Sequence, residues 1–244
     1  MGADPLSKLG LLAAGITEGI SPGRHLTRPV TVAIRLEGQK FQIQLAERSD
    51  FLVLAALRSR EFAVDLPSTP EVVLDGGAHV GLSSLFFRAR YPHAKILAVE
   101  PNPASYLRLV RNTADAGVQC TQAALAEADG ELTLYLGATS WDSSLKEGVG
   151  GHAVTVRAIS LDSFVEESSV DRIGLLKLDI EGAEFAALRA TSILPRVDAI
   201  VAELHFEHGD GTEQEIRDLL SEFDISIRYE SQYRAIMHAV RLQA

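Results

Sequence analysis

The hydrophobic positions of the chain fall into two regimes that meet near Pro70. Before it, Thr31–Leu36 and Lys40–Leu45 alternate apolar and polar residues on either side of Glu37-Gly38-Gln39, the pattern of two half-buried strands joined as a hairpin. Asp50 then stands as an N-cap ahead of Phe51, Leu54, Leu57 and Phe62, which follow helical spacing. Pro67 and Pro70 close this block. Beyond it, short apolar runs alternate with amphipathic ones. Val72-Val73-Leu74 predicts a strand, Leu82–Tyr91 a helix stopped by Pro92, Ile96–Val99 a strand, and Pro103 to about Ala116 a helix. Val118–Ala124 predicts the next strand. Leu132-Leu134-Leu136 and Val154-Val156 alternate like an antiparallel pair around a polar, glycine-rich stretch. Ile173–Leu178 reads as a buried strand, Glu184–Leu194 as a helix, Ala199–Leu204 as a strand and Thr212–Phe223 as a helix. Ile225–Tyr229 and Ala235–Leu242 are short enough to pair as a hairpin.

Strands alternating with helices predict a parallel sheet covered on both faces. The expected fold is α/β, doubly wound and Rossmann-like, with a mostly parallel sheet and an antiparallel C-terminal hairpin over residues 70–244. Residues 1–69 read as an N-terminal strand-hairpin and helix extension. No internal repeat or low-complexity tract is visible.

Composition narrows what such a fold can serve. Lys plus Arg number 23 against 33 for Asp plus Glu, a formal charge of −10, and no basic cluster interrupts it, so nucleic acid is not an expected partner. Hydrophobic residues make up 46%, enough to bury a sizeable core. Cys120 is the only cysteine; it fits a buried strand residue in a reducing cytoplasm and excludes an intramolecular disulfide framework. The apolar run Leu9–Thr17 is about half the ~20 residues of a spanning helix. Glu18 follows it without a small-x-small cleavage site, and Leu6 occupies the Ser/Thr position that myristoylation of Gly2 requires. The expected setting is cytoplasmic, with no membrane partner, and a homo-oligomer is as compatible as a monomer.

In a doubly wound sheet, ligands bind outside the carboxyl ends of the strands, where the strand order reverses. The chain places polar or glycine-rich residues at nearly every such end: Asp75–Gly81, Glu100–Asn102, Gln122–Ala124, Asp179–Gly182 and Glu203–His205. Asp75-Gly76-Gly77-Ala78-His79-Val80-Gly81 follows a strand and opens a helix. Its glycines permit a tight turn and close approach to a ligand, although many α/β folds need glycine there for packing alone. Glu100 ends the next strand, 19 residues beyond Gly81, where a carboxylate accepts hydrogen bonds from both ribose hydroxyls of a nucleoside cofactor. NAD and S-adenosyl-L-methionine both satisfy such an acid. A pyrophosphate favours G-x-G-x-x-G, whereas the acidic Asp75 ahead of the glycines suits an ammonium group, and no P-loop lysine follows. The methyl donor fits better. The expected cofactor set is Asp75, Gly76, Gly77, Ala78, Gly81, Glu100, Pro101, Asn102, Gln122 and Ala123, with His79 a backbone-facing spacer.

The strings Asp75–Gly81, Val99-Glu-Pro-Asn-Pro103, Lys177-Leu-Asp-Ile-Glu-Gly-Ala-Glu184 and Ala202-Glu-Leu-His205 resemble the FkbM-type S-adenosylmethionine-dependent methyltransferases. The resemblance covers about Pro70 to Phe206, and its K-x-D-x-E-G-x-E string is the most specific part. It implies the methyltransferase variant of the Rossmann-like fold and O-methylation of hydroxyls on polyketides, sugars and other secondary metabolites. Gly76-Gly77 departs from the family, which more often has a single glycine before the alanine; loop flexibility should change rather than cofactor class.

Read residue by residue, Asp179, Glu181 and Glu184 crowd three carboxylates where a buried strand turns into a helix. Glu184, and to a lesser degree Glu181, suits the first turn of a helix for its dipole alone. Asp179 ends the strand facing the expected substrate mouth, and Lys177 shares its side. Glu203 and His205 emerge together on one side of the next strand. Two chemistries fit the catalytic set Asp179, Glu203 and His205. His205, with an ordinary pKa near neutral, can take the acceptor hydroxyl proton. Alternatively a hard divalent ion such as Mg²⁺, held chiefly by Asp179 and Glu203, lowers the pKa of that hydroxyl. The loop Gly137–His152 reads as an acceptor lid or a solvated hairpin tip, with Trp141, Ser143, Ser144 and Glu181 as the residues expected to touch the acceptor. The reading is an S-adenosylmethionine-dependent O-methyltransferase of a small molecule, sugar or secondary metabolite. Its alternatives are an NAD-binding oxidoreductase and a non-catalytic nucleoside-cofactor-binding protein.

Overall fold

A computed structural model of the chain describes residues 25–47, 50, 61–136, 152–206 and 211–242. The N-terminal hairpin pairs β1 (His25–Leu36) with β2 (Gln39–Glu47). Its turn, Glu37-Gly38, holds φ of 44° and 85°, the two positive values that a type I′ turn demands. Of the helix expected after Asp50, residues 51–60 lie outside the described residues.

The parallel strands follow the apolar runs. They are β3 (Val72–Gly76), β4 (Lys95–Val99), β5 (Val118–Thr121), β9 (Leu175–Leu178) and β10 (Ala199–His205). The smaller strands β6 (Ala124–Ala126), β7 (Gly130–Leu136) and β8 (His152–Ser160) form a separate sheet in the order β6-β8-β7. The chain closes with β11 (Phe223–Tyr229) and β12 (Arg234–Arg241). The main sheet has seven strands in the order β11-β12-β10-β9-β3-β4-β5, with β12 antiparallel to both its neighbours. The order reverses between β3 and β9, which places the switch point between the ends of those two strands.

The helices are α1 (Leu82–Arg90), α2 (Pro103–Thr113), α3 (Leu161–Glu167), α4 (Glu184–Ala190) and α5 (Glu213–Leu219). Strand alternation sends successive residues to opposite layers. Leu74, Leu97, Leu176 and Leu178 pack with Phe164 of α3, Phe185 of α4 and Ile216 of α5. Val73, Ile96, Leu175 and Val201 face the other way, onto Leu85 and Phe87 of α1 and onto Val32, Ile34, Ile43 and Leu45 of the hairpin. The hairpin thus shares its apolar core with α1 and one face of the main sheet.

Three expectations need correction. The run Val118–Ala124 is not one strand: β5 ends at Thr121 on the edge of the main sheet, and Ala124 begins β6, which pairs with β8. Cys120 is half-buried on that edge strand rather than buried. The helix from Glu184 stops at Ala190, because Asp162 binds Thr191 and Ser192 and Pro195 opens a separate 3₁₀ turn at Leu194–Arg196.

Candidate active site

The loop after β3 is pinned on two sides. The amides of Gly77 and Ala78 both donate to the Val99 carbonyl at 3.0 Å, and the Asp179 amide donates to the Gly76 carbonyl at 3.2 Å. Gly77 has φ of 74°, and a Cβ there would lie 1.8 Å from the Asp179 carbonyl oxygen. Gly81, with φ of 90°, precedes α1, and its Cβ would press on Thr113 and Leu109 of α2 at 2.9 and 3.0 Å. Each of these glycines is therefore required by its own backbone and neighbours, whatever the loop binds. Ala78 is buried against Ala98 and Leu109.

Asp75 does not face the mouth. Its carboxylate is fully buried, with Oδ2 accepting from Ser83 Oγ at 2.7 Å and Ser84 Oγ at 2.5 Å in the first turn of α1. The cation it meets, at 3.4 Å, is Lys177 Nζ, and the expectation that Asp75 orients a ligand ammonium is corrected accordingly. Lys177 itself is 1% exposed and donates to the carbonyls of Gly76 and Gly77 at 3.2 and 2.8 Å. Its ammonium also lies 3.4 Å from Asp179 Oδ2. Burial pulls its pKa down, but Asp179 and Asp75 outweigh that and leave it raised.

Glu100, just past β4, is buried, and each of its oxygens holds one backbone N–H: His79 to Oε2 and Asn102 to Oε1, both at 2.9 Å. Burial pushes its carboxyl up to about 7, against the pull of those two amides. Asn102 uses its own side chain to cap α2, accepting from the amides of Ala104 and Ser105. Pro101 is half-buried, Gln122 exposed and Ala123 buried. Among the cofactor candidates, then, Glu100 and Gln122 stand at the strand ends as side chains. Asp75, Ala78, Asn102 and Ala123 are occupied in shaping the loop and the strand ends. His79 sits at φ of 50°, as a spacer would, and burial together with the Arg108 charge pulls its pKa to about 4.

The acidic mouth is organised by β9 and β10. Leu178 pairs with Ala202, so the chain places Asp179 beside Glu203. Glu203 Oε1 lies 2.9 Å from Arg234 Nε of β12; burial and Asp179 push its carboxyl up to about 7. Glu181 holds φ of 55°, an uncommon value for a residue with a side chain, and is pushed up by burial and by Asp179. The acid first assigned to the helix dipole does more than that. Glu184 is fully buried, its Oε1 accepts from the Ile180 amide at 2.9 Å, and it lies 3.2 Å from His205 Nδ1. His205 Nε2 faces Glu181 Oε2 at 3.6 Å. Burial pulls the imidazole pKa down, but the two flanking carboxylates overcome it and raise it to about 9. His205 is therefore not the near-neutral base expected from its type.

The divalent-ion expectation meets a different obstacle. Among the described residues, no group of three or more His, Cys, Asp or Glu side chains is placed to hold a metal ion. Asp179 is engaged by Lys177 and Glu203 by Arg234, so each carboxylate that such an ion would need already faces a cation of the chain. Among the described residues, this pair of carboxylates does not fit a Mg²⁺ site. Trp141, Ser143 and Ser144 lie outside the described residues. Among the described residues, no helix is long and apolar enough to cross a membrane.

A family model described as the methyltransferase FkbM domain matches residues 75–227. The chain is 36% identical over 160 residues to methyltransferase sdnD of Sordaria araneosa, covering 51% of this chain and 61% of that protein. It is 26% identical over 159 residues to the hexuronic acid methyltransferase AglP of Haloferax volcanii, covering 64% of each. It is 26% identical over 170 residues to the 31-O-demethyl-FK506 methyltransferase FkbM of Streptomyces tacrolimicus, covering 55% of this chain and 65% of that one. The matches thus span about three-fifths to two-thirds of these relatives' length. A crystal structure of methyltransferase FkbM from Methylobacillus flagellatus shares the fold, with a TM-score of 0.51 at 16% identity over 74% of this chain and 46% of that one.

Proposed function

The chain belongs to the FkbM methyltransferase family, and on that premise we propose that it uses S-adenosyl-L-methionine to methylate a hydroxyl of a small molecule, sugar or secondary metabolite. The observation that carries this reading is Glu100. It is a buried carboxylate fixed by loop amides beside the switch point, with lone pairs left for ribose hydroxyls. The surrounding charge supports the same cofactor. Lys177 is committed to two carbonyls and two carboxylates rather than to a ligand, and Asp179 stands at the mouth, a setting that suits a cationic sulfonium better than a pyrophosphate. When bound, the cofactor supplies an activated methyl group. The chain's own task is to hold the acceptor oxygen in line and to take its proton. The relatives named for a hexuronic acid and for 31-O-demethyl-FK506 support a hydroxylated acceptor of that kind. The reading includes a cytoplasmic setting, in keeping with a single cysteine.

Calorimetric titration with S-adenosylhomocysteine and NAD side by side tests this. Heat of binding is expected from S-adenosylhomocysteine alone, and saturable binding of NAD only would overturn the cofactor assignment.

Within that reading Glu100→Ala removes a charge-assisted acceptor of the ribose hydroxyls. Adenosylhomocysteine affinity should fall by about 1–3 kcal/mol. The substitution also releases the amides of His79 and Asn102, so a melting curve must accompany it. An unchanged dissociation constant in the folded variant would place the nucleoside elsewhere.

A further inference from the structure

Helix α2 buries polar side chains beside Leu109 and leaves two large apolar ones outside. Leu107 is 70% exposed and Val110 42%, while Arg108 and Asn112 are each 8% exposed and turned inward. Asn is a poor residue for a helix interior, and burying its amide is costly unless every group finds a partner. Asn112 finds them on two separate elements. Its Oδ1 accepts from the Gln44 amide of β2 at 2.7 Å, and its Nδ2 donates to the Gln44 carbonyl at 3.2 Å, as a neighbouring strand would. The same Nδ2 donates to the Val80 carbonyl, inside the loop after β3, at 2.9 Å. Arg108 makes a second tie one turn earlier. It lies 3.1 Å from Glu47 and 3.3 Å from Asp50, and its charge is felt at His79, whose amide is held by Glu100.

We propose that the β1–β2 hairpin is a working part of the cofactor site. Asn112 is the positioning residue that couples docking of the hairpin to the geometry of the glycine loop, with Arg108 supporting it. The proposal rests on the reading that the nucleoside cofactor binds at that loop. An amide that holds the loop through one hydrogen and the hairpin through the rest cannot release either without misplacing the other. Coupling of this kind is reciprocal, so a ligand on the loop must also tighten the hairpin.

Hydrogen exchange on the full chain, with and without S-adenosylhomocysteine, tests this. In the unmodified protein the ligand should slow exchange across residues 39–47 as well as 76–82. In Asn112→Ala both segments should exchange faster without ligand. The dissociation constant should rise about tenfold, and protection of 39–47 by the ligand should disappear. Asn112→Ser is the milder variant should alanine fail to fold. Arg111→Ala, which loses only a bond to the Gln44 side chain, should leave affinity unchanged. Ligand protection confined to the loop, or an unchanged dissociation constant in a folded Asn112 variant, would overturn the coupling. If the unmodified chain does not bind S-adenosylhomocysteine, the cofactor reading fails instead. The coupling is then judged from the ligand-free variant, and faster exchange at 39–47 alone would refute it.

Discussion

Replacing Lys177 with methionine should destabilise the fold by about 3–5 kcal/mol, the usual cost of leaving one member of a buried ion pair without its partner. The side chains are similar in length, so packing is nearly conserved and the loss is chiefly that of the ammonium. Four oxygens depend on it: the carbonyls of Gly76 and Gly77, and the carboxylates of Asp75 and Asp179. Asp179 can turn to water, being half-buried, but Asp75 is fully enclosed and keeps only two serine hydroxyls. Because the folded-state pKa of Lys177 is raised, its contribution is complete below the unfolded value near 10.4 and fades only above it. The defect should therefore be the same at pH 6 and pH 8. Urea denaturation of the variant, and of Lys177→Met combined with Asp75→Asn, measures it. The double variant should recover part of the loss, since the buried charge is removed as well. A single-variant loss below about 1 kcal/mol would mean that Asp75 and Lys177 are not an interdependent pair.

Much of this arrangement is legible in the chain because strand geometry is local. Period-two alternation is enough to put Lys177 on the side of Asp179, and Glu203 on that of His205. Apolar runs bounded by glycine and proline locate the parallel strands for the same reason. What escaped depends on residues distant in sequence. Nothing near Asp75 announces that its cation is 102 positions away at Lys177, so a carboxylate beside a glycine loop reads as a ligand group. Arg108 and Asn112 have the composition of a solvated helix face, and only the hairpin packed against them accounts for their burial while Leu107 and Val110 stay exposed. The run Val118–Ala124 has unbroken strand character, and only the competing partner β8 shows where it divides. Glu184 has the spacing of a first-turn acid and fills that role, which hides its second contact with His205.

That second contact changes the pH at which the site should work. Both ring nitrogens of His205 face carboxylate oxygens, Nδ1 toward Glu184 and Nε2 toward Glu181, and only the imidazolium has a hydrogen for each. Glu184 is the closer and the more deeply buried, so Nδ1 keeps its hydrogen, and Nε2 is the atom that can release and accept a proton. An NMR titration of the ring should give a midpoint of about 9, and Glu184→Gln should move it down toward the ordinary 6.5. A raised histidine pKa stabilises the fold fully below the unfolded value of about 6.5, and that contribution is lost as pH rises through the folded-state value near 9. Its size is on the order of 3 kcal/mol, so the melting temperature should fall between pH 7 and pH 9, and less so in Glu184→Gln. If His205 takes the acceptor proton, turnover of any acceptor should climb over the same interval. His205→Ala should then lower turnover by ~10²–10⁴-fold while leaving adenosylhomocysteine affinity intact. A rate that instead rises through 6.5 would show that the two carboxylates do not hold the imidazolium. A flat profile with normal turnover in His205→Ala would remove the histidine from the chemistry, leaving the acceptor to be activated by position alone.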